Sequence, residues 1–388
     1  MSINDKQKEE ILSFTSQLIR QSETSGREAN TARCVAAKME ALGYDQVLAD
    51  RYGSVIGIRE GALPGPTLLL DAHMDIVPAG DEKEWHQKPF GGKVTEDRIW
   101  GRGSTDMKGA LAAMIYAPAG LERREFRGRI IVSASVAEEL MIGTALKEIL
   151  SRYSPDAVIV GEPTSLKIGT CEKGRASVEM ICRGTTAHSS RPDLGDNAVY
   201  RMMEAVRRIQ NMPLRSHERL GKEIMEVVEI SSLTSPGNGS IPDRCRALWE
   251  CRLLPGETEA SFLKRWKTAL QGLDKTELSI AGYELPAYTG ETLRMRDFLP
   301  GWEADESAGR LITVTEEGLK EQGIKPEYYA APYGCNALAS AAGFRIPTVI
   351  LGPGDISLAH KPDEYIRTDE LMDAAGIYRT ICRNFLKA

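Results

Sequence analysis

Acids and histidines recur along this chain in short, turn-bounded stretches that lie far apart in sequence. They are His73 and Asp75 in DAHMD, Asp106 in GRGSTDMKG, Glu138-Glu139 after an apolar run, Glu162 in GEPT and His360 in GPGDISLAH. Imidazole and carboxylate together are the donors that divalent metals take from proteins. His73, Asp106, Glu139, Glu162 and His360 suffice for two such ions side by side if one aspartate is shared. Glu138 is then left over to move protons. That is the equipment of a metal-assisted hydrolase. The mixed donor set favours zinc, while cobalt or manganese would fit the same ligands.

Each stretch also has a plainer reading. In an extended segment His73 and Asp75 point the same way, so the carboxylate can hold the ring nitrogen that a metal leaves free. A histidine and an aspartate at this spacing fit a solvated strand end equally well. GRGSTDMKG is more specific, because three glycines in nine residues permit tight turns and close approach and deliver Asp106 to a crowded place. The order GxxxxGK[ST] of a phosphate loop is absent from it. Two adjacent acids at the end of an apolar strand are costly unless something positive is near, and on a strand end one would bind metal while the other faces substrate. An ordinary charged turn is the alternative. Glu162 is another strand exit, and a loop histidine such as His360 is usually just solvated.

The elements that must position these residues are legible as patterns. Ile11, Leu12, Phe14, Leu18 and Ile19 recur at helical spacing, as do Val35, Met39 and Leu42. Apolar runs at 67–70, 130–136, 157–160 and 348–351, bounded by turn residues, predict buried and mostly parallel strands of an α/β fold. The chemically suggestive residues follow these runs, and strand C-terminal ends are where open α/β sheets usually place ligands. The middle of the chain reads differently. Ala176, Val178, Met180 and Cys182 alternate, helical patterns run from 196 to 210 and 258 to 273, and strands at 224–233, 246–254 and 277–283 separate them. The order β-α-β-β-α-β is that of a compact α+β unit. It predicts an inserted domain at 178–287 within a metal-binding domain formed by 1–177 and 288–388.

With 388 residues, 42% hydrophobic and 27% charged, the chain is long enough for two domains and unlike a disordered one. No apolar run approaches a membrane span, and MSINDKQKEEIL lacks the apolar core of a secretory signal. Seven scattered cysteines without a CxxC pair read as reduced thiols of a cytoplasmic protein. A net charge of −6 offers no basic stripe for nucleic acid.

On these motifs the chain resembles the di-zinc amidohydrolase/metallopeptidase family of acetylornithine deacetylase, succinyl-diaminopimelate desuccinylase, aminoacylase-1 and carboxypeptidase G. The likeness covers nearly the whole chain in the right order. Within the family it is most similar to the selenium-metabolism-linked hydrolases, through RGTTAHSSRPDLGDNAVYRM and LPAYTGETLRMRDFLPGWEADE. The resemblance implies that His73, Asp106 and Glu162 serve one metal and Glu139, Asp106 and His360 the other. It implies a cis peptide after Asp106, Asp75 orienting His73, and Glu138 as general acid/base. It also implies a homodimer through the inserted domain, whose His188 reaches the partner's site and stabilises the oxyanion.

Arg252 occupies a position similar to a family arginine that grips a substrate carboxylate. The chain departs from the commoner pattern at Gly334-Cys335-Asn336-Ala337, with Asn in place of Asp. It departs again at Gly239, where Asn238 stands one place early, and at EELMIGT, which sets Leu140 and Met141 beside the site. Asn238, Gly334 and Asn336 are thus candidate substrate contacts. The implied reaction is amide hydrolysis on an N-acyl amino acid or similar small carboxylate-bearing amide. A dipeptidase or carboxypeptidase, an N-carbamoyl amidohydrolase, and a catalytically silent metal-binding dimer are the alternatives.

Overall fold

A computed structural model describes residues 3–233 and 239–387. In chain order the strands used below are β1 (Gln46–Ala49), β2 (Val55–Glu60), β3 (Thr67–His73), β4 (Arg129–Ser135), β5 (Ala157–Val160), β6 (Ile168–Glu172), β7 (Gly174–Arg183), β8 (Ile224–Leu233), β9 (Arg244–Leu253), β10 (Thr276–Ile280), β11 (Phe298–Leu299), β12 (Trp302–Glu303), β13 (Tyr328–Ala331) and β14 (Thr348–Ile350). The helices are α1 (Asp5–Ile19), α2 (Ala29–Ala41), α3 (Gly109–Ala119), α4 (Glu138–Met141), α5 (Thr144–Tyr153), α6 (Ala198–Gln210), α7 (Glu259–Ala269), α8 (Gly309–Glu321) and α9 (Thr368–Phe385).

The larger sheet has nine strands in the order β1-β2-β4-β3-β5-β14-β6-β12, with β13 also paired to β6. Its centre is parallel, as the continuous apolar runs predict: β3 pairs with β4 and β5, and β5 with β14. Antiparallel β1 and β2 extend one side, and β6 runs antiparallel to β14 and β12 on the other. The sheet is therefore mixed, with its parallel part at the centre. Strand side chains alternate between two cores, because successive residues point to opposite faces. Leu68, Leu70, Ile130, Val132 and Ile159 pack toward α1, α3 and α9. Leu69, Ile131, Val158, Val160 and Ile350 pack toward Leu146, Ile149 and Leu150 of α5. Helix α3 is buried from Gly109 to Pro118. This explains why its sequence is apolar on all sides instead of amphipathic.

The second sheet runs β8-β9-β7-β10, all antiparallel, with β11 added to β7. From β7 to β10 the elements follow the order β-α-β-β-α-β. Strict alternation along β9 buries Ala247, Trp249, Cys251 and Leu253 against α6 and α7. Trp266 of α7 meets Trp249 edge-on at 5.2 Å and lies 5.3 Å from Phe262. This aromatic cluster is the largest apolar mass in the smaller core. No helix among the described residues is long and apolar enough to cross a membrane.

Truncating Trp266, which is fully buried, removes the centre of that cluster. Trp266→Ala is expected to lower the unfolding free energy by about 3–5 kcal/mol, read from urea denaturation. A loss below about 1 kcal/mol would show that the cluster contributes little.

Candidate metal centre

The C-terminal ends of β3, β4, β5 and β14 all open onto one place, and the chain spends its acids and imidazoles there. His73 is the last residue of β3. Its Nδ1 lies 3.0 Å from the backbone oxygen of Asp75 and 3.5 Å from the carboxylate. The carbonyl is thus the nearer of the two groups that orient the ring, and the carboxylate expected in that role is the farther one. The Asp75 carboxylate instead accepts the Ser25 hydroxyl at 2.6 Å and the backbone N–H groups of Glu138 and Glu139, each at 3.1 Å.

That bond corrects the reading of the acid pair. Glu138 and Glu139 do not end a strand: β4 stops at Ser135, Ala137 takes a left-handed φ of 59°, and the two glutamates open the one-turn helix α4. Asp75 caps this turn. Glu28, buried in the loop before α2, takes the Ala137 N–H at 2.9 Å and fixes the residue that starts it.

Asp106 arrives on the glycine-rich loop. Gly103 has φ 82°, and a Cβ there would lie 2.5 Å from Ile76 Cγ2, so the turn needs glycine. Buried Glu364 accepts the N–H groups of Thr105 and Asp106 at 2.9 and 3.1 Å, and Arg102 at 2.7 Å. The Asp106–Met107 peptide is cis, as the resemblance implies.

The side chains converge. Oδ1 of Asp106 lies 3.0 Å from His73 Nε2, and Oδ2 lies 3.2 Å from His360 Nε2. Glu139 is 3.2 Å from the same His360 nitrogen, while Glu162 and Glu138 approach His73 Nε2 at 3.9 and 4.0 Å. Donor atoms of His73, Glu138 and Glu162 fall within 4.8 Å of one another, and so do those of His73, Asp106 and Glu139. One aspartate therefore presents an oxygen to each histidine, with Glu162 on the first side and Glu139 on the second.

Burial makes this crowding expensive. Desolvation raises Glu138 and Glu162 well above the usual carboxylate range, and Glu139 less far. Desolvation would raise Asp106 as well, but hydrogen bonds from His360 and His73 overcome it and hold its carboxyl low. Those same bonds to Asp106 and Glu139 lift His360 to about 10. His73, which burial alone would lower, is carried well above its ordinary value by Asp106. Without a cation, protons do the neutralising. The donor set, its crowding and this shortage of positive charge fit divalent metals.

Beside the cluster is a cavity of about 320 Å³ lined by the acids and His360 together with Ile142, Arg175, Arg252, Tyr333, Gly334, Cys335, Ile356 and Ala359. Several sequence expectations land elsewhere. Asn336 does not face the cavity. It is buried, accepts the Gly143 N–H at 2.8 Å, and donates to Asp71 and Ser135 at 2.8 and 3.0 Å. An aspartate there would set a second carboxylate against Asp71, which accounts for the amide. Leu140 is exposed and Met141 buried away from the cavity, so it is Ile142 that shapes its wall. His188, expected to serve a partner's site and not its own, is exposed, with Nδ1 2.7 Å from Ser190 Oγ, and a single chain leaves that expectation untested. Asn238 lies outside the described residues. Sequence reasoning missed Glu364, Glu28 and Ser25. Only the acid in HKPDEY, four residues after His360, gave a signal.

Known proteins share this sequence pattern and this fold. The sequence profile of peptidase family M20/M25/M40 matches residues 69–384. An uncharacterized Escherichia coli protein, YgeY, is 30% identical over 92% of this chain and 90% of its own length. Acetylornithine deacetylase of Buchnera aphidicola is 28% identical over 87% of this chain and 84% of its own. The solved structure of Bacillus subtilis YXEP, described as a dinuclear metal binding peptidase from the M20 family, superposes with a TM-score of 0.73 at 15% identity and 98% coverage of each chain.

The proton balance is testable. A histidine raised from 6.5 to about 10 contributes stability that is fully present below pH 6.5 and lost as pH rises through about 10. The raised glutamates act in the same direction, and Asp106 opposes them only in acid. Chelator-treated protein should therefore lose urea resistance from pH 6.5 upward, and zinc should restore it with release of protons, read by calorimetry in buffers of different ionisation heat. Binding without proton release would contradict this.

Proposed function

We propose, for a chain that belongs to peptidase family M20/M25/M40, that it hydrolyses the amide bond of an N-acyl amino acid or similar small amide bearing a carboxylate. The observation that carries this is Asp106 set between His73 and His360 with a spare carboxylate, Glu138, at the cavity wall. His73, Asp106 and Glu162 would hold one cation and Glu139, Asp106 and His360 the other. When bound, such ions (zinc by the donor set, with cobalt or manganese compatible) supply Lewis-acid polarisation and a water acidified toward neutrality.

The chain's own residues do the rest. Glu138, kept basic by its buried setting, takes the proton of the attacking water and returns it to the leaving amine. Asp75 aims it, through the N–H groups that open α4. Arg252 grips the substrate carboxylate. Its Nη1 is buried without a hydrogen-bond partner among the described residues, and its nearest acid, Glu250, stands 3.6 Å away. A planar guanidinium is suited to that bidentate contact, and Gly334 leaves the adjacent wall open. Ile142, Ile356 and Ala359 give the acyl group an apolar seat.

The lining favours an acylated amine over a free one. Every acid that lines the cavity belongs to the metal cluster or is Glu138, so none is left to pair with the ammonium of a dipeptide. An N-carbamoyl substrate satisfies the same site.

A second copy of the chain completes the centre. Residues 178–287 act as a lid that pairs with its counterpart, and His188 serves the oxyanion of the partner's site. Tyr200 and Met203 on α6 and Val228 and Ile230 on edge strand β8 each expose more than half their surface. An uncovered apolar strand edge is a pairing surface. Seven free cysteines suit a reducing cytoplasm.

A panel of N-acetyl, N-succinyl, N-carbamoyl and dipeptide substrates tests the reading on zinc-loaded protein, with N-acyl amino acids expected to be cleaved fastest. Glu138→Gln should retain both metals and lose about 10²–10⁴-fold in kcat. Near-normal turnover would remove Glu138 from its role. Val228→Arg should shift sedimentation toward monomer and abolish most activity. A fully active monomer would exclude the partner histidine.

A further inference from the structure

Of the polar lining residues that serve neither the metal cluster nor the carboxylate grip, Arg175 is paired with Asp297, whereas Tyr333 is not. Tyr333 lines the cavity together with Glu138, Glu162, Arg252 and His360. Its hydroxyl is buried and has no hydrogen-bond partner among the described residues. Buried hydroxyls are almost always paired. One left unpaired at the wall of a polar cavity calls for an acceptor that arrives with the ligand.

Three further observations bear on what that acceptor is. Burial first, and then the negative charge of Glu162, push the Tyr333 hydroxyl well above its ordinary pKa. The group is therefore a proton-bearing donor throughout the working pH range. Its loop is also held rigidly from behind. Buried Glu172 takes the Cys335 N–H and the Trp302 indole N–H, and Asn336 ties the next residue to Asp71, Ser135 and Gly143. A donor fixed in advance needs no reorganisation when charge develops in front of it. The remaining neighbour is Tyr329, whose ring centroid is 6.4 Å away. Tyr329 is thus the one group among the described residues that competes for the Tyr333 hydroxyl, and it serves below as the control.

We infer that Tyr333 is a further catalytic residue, whose hydroxyl donates a hydrogen bond to the oxygen of the scissile carbonyl as that oxygen gains negative charge. The inference rests on the amide-hydrolase reading above. The O–H bond stays intact throughout: the tyrosine stabilises charge and transfers no proton. Arg252 already provides for the substrate carboxylate, and Tyr333 shares one small cavity with Glu138 and Glu162, where the reacting carbonyl must sit. Unlike the partner's histidine, this donor is supplied by the same chain and is in place before any lid movement.

The experiment compares zinc-loaded full-length wild type, Tyr333→Phe and Tyr329→Phe. N-acetyl-L-methionine is the substrate probe, and its phosphinate isostere, which carries a tetrahedral anionic centre, is the binding probe. Tyr333→Phe should lower kcat by about 10²-fold while KM stays within about threefold. It should weaken phosphinate binding, read by calorimetry, by a comparable factor. Its urea midpoint should not fall, because the hydroxyl it removes has no partner in the fold. Tyr329→Phe should leave kcat and phosphinate affinity within about twofold. The inference is overturned if Tyr333→Phe keeps kcat within twofold, if it raises KM alone, or if phosphinate affinity is unchanged. It is also overturned if Tyr329→Phe reproduces the loss, since Tyr333 would then act only through its neighbour. A wild type that cleaves no member of the substrate panel sinks the hydrolase reading itself. An active wild type with an equally active Tyr333→Phe sinks only the role of the tyrosine.

Discussion

The Asp106 carboxylate lies between two imidazoles, one oxygen toward His73 and the other toward His360. The rest of the structure depends on that placement. Burying Asp106 beside Glu138, Glu139 and Glu162 is tolerable only if positive charge is concentrated among them. Protonated histidines can supply part of it, and divalent cations can supply more while also activating a water and a carbonyl. The chemistry follows from the same crowding that makes the empty cluster unfavourable.

A scaffold that imposes such crowding must be stiff, and its stiffness comes from neighbours that never touch substrate. Glu364 and Arg102 hold the loop that carries Asp106, so its carboxylate is set by a buried ion pair at 2.7 Å as well as by glycine turns. Asp75 and Glu28 hold the three consecutive residues, Ala137 to Glu139, that deliver the two glutamates. Asp71, Ser135 and Asn336 knit the ends of β3 and β4 to the loop after β13. Most of these supports are carboxylates that accept N–H or O–H groups, and they are buried where a lost partner would be costly. The candidate metal ligands sit on segments that follow the strand ends, and these contacts decide how closely those segments approach one another.

Much of this was legible in the sequence, for definite reasons. His73 and Glu162 follow short apolar runs, and such runs in an α/β chain end at the ligand-bearing edge of the sheet. Asp106 was marked by the glycines its turn requires, and alternation along 247–253 marked the second core. Glu138 and Glu139 were recognisable by type but not by geometry, because Ala137's left-handed backbone starts a helix where a strand end was expected. Asn336 looked like a substrate contact, since nothing local reveals that Asp71, 265 residues away, consumes its amide. Ser25, Glu28 and Glu172 carry no local pattern at all. Their roles exist only once distant segments meet, and Ile142 took the wall position that Leu140 and Met141 were expected to fill for the same reason.

The most direct test of the account is anomalous diffraction from crystals of the zinc-loaded protein. It predicts two peaks flanking Asp106, each in contact with one of its oxygens, the first also bound by His73 and Glu162 and the second by His360 and Glu139. A single peak, or two peaks that leave the Asp106 carboxylate untouched, would contradict it.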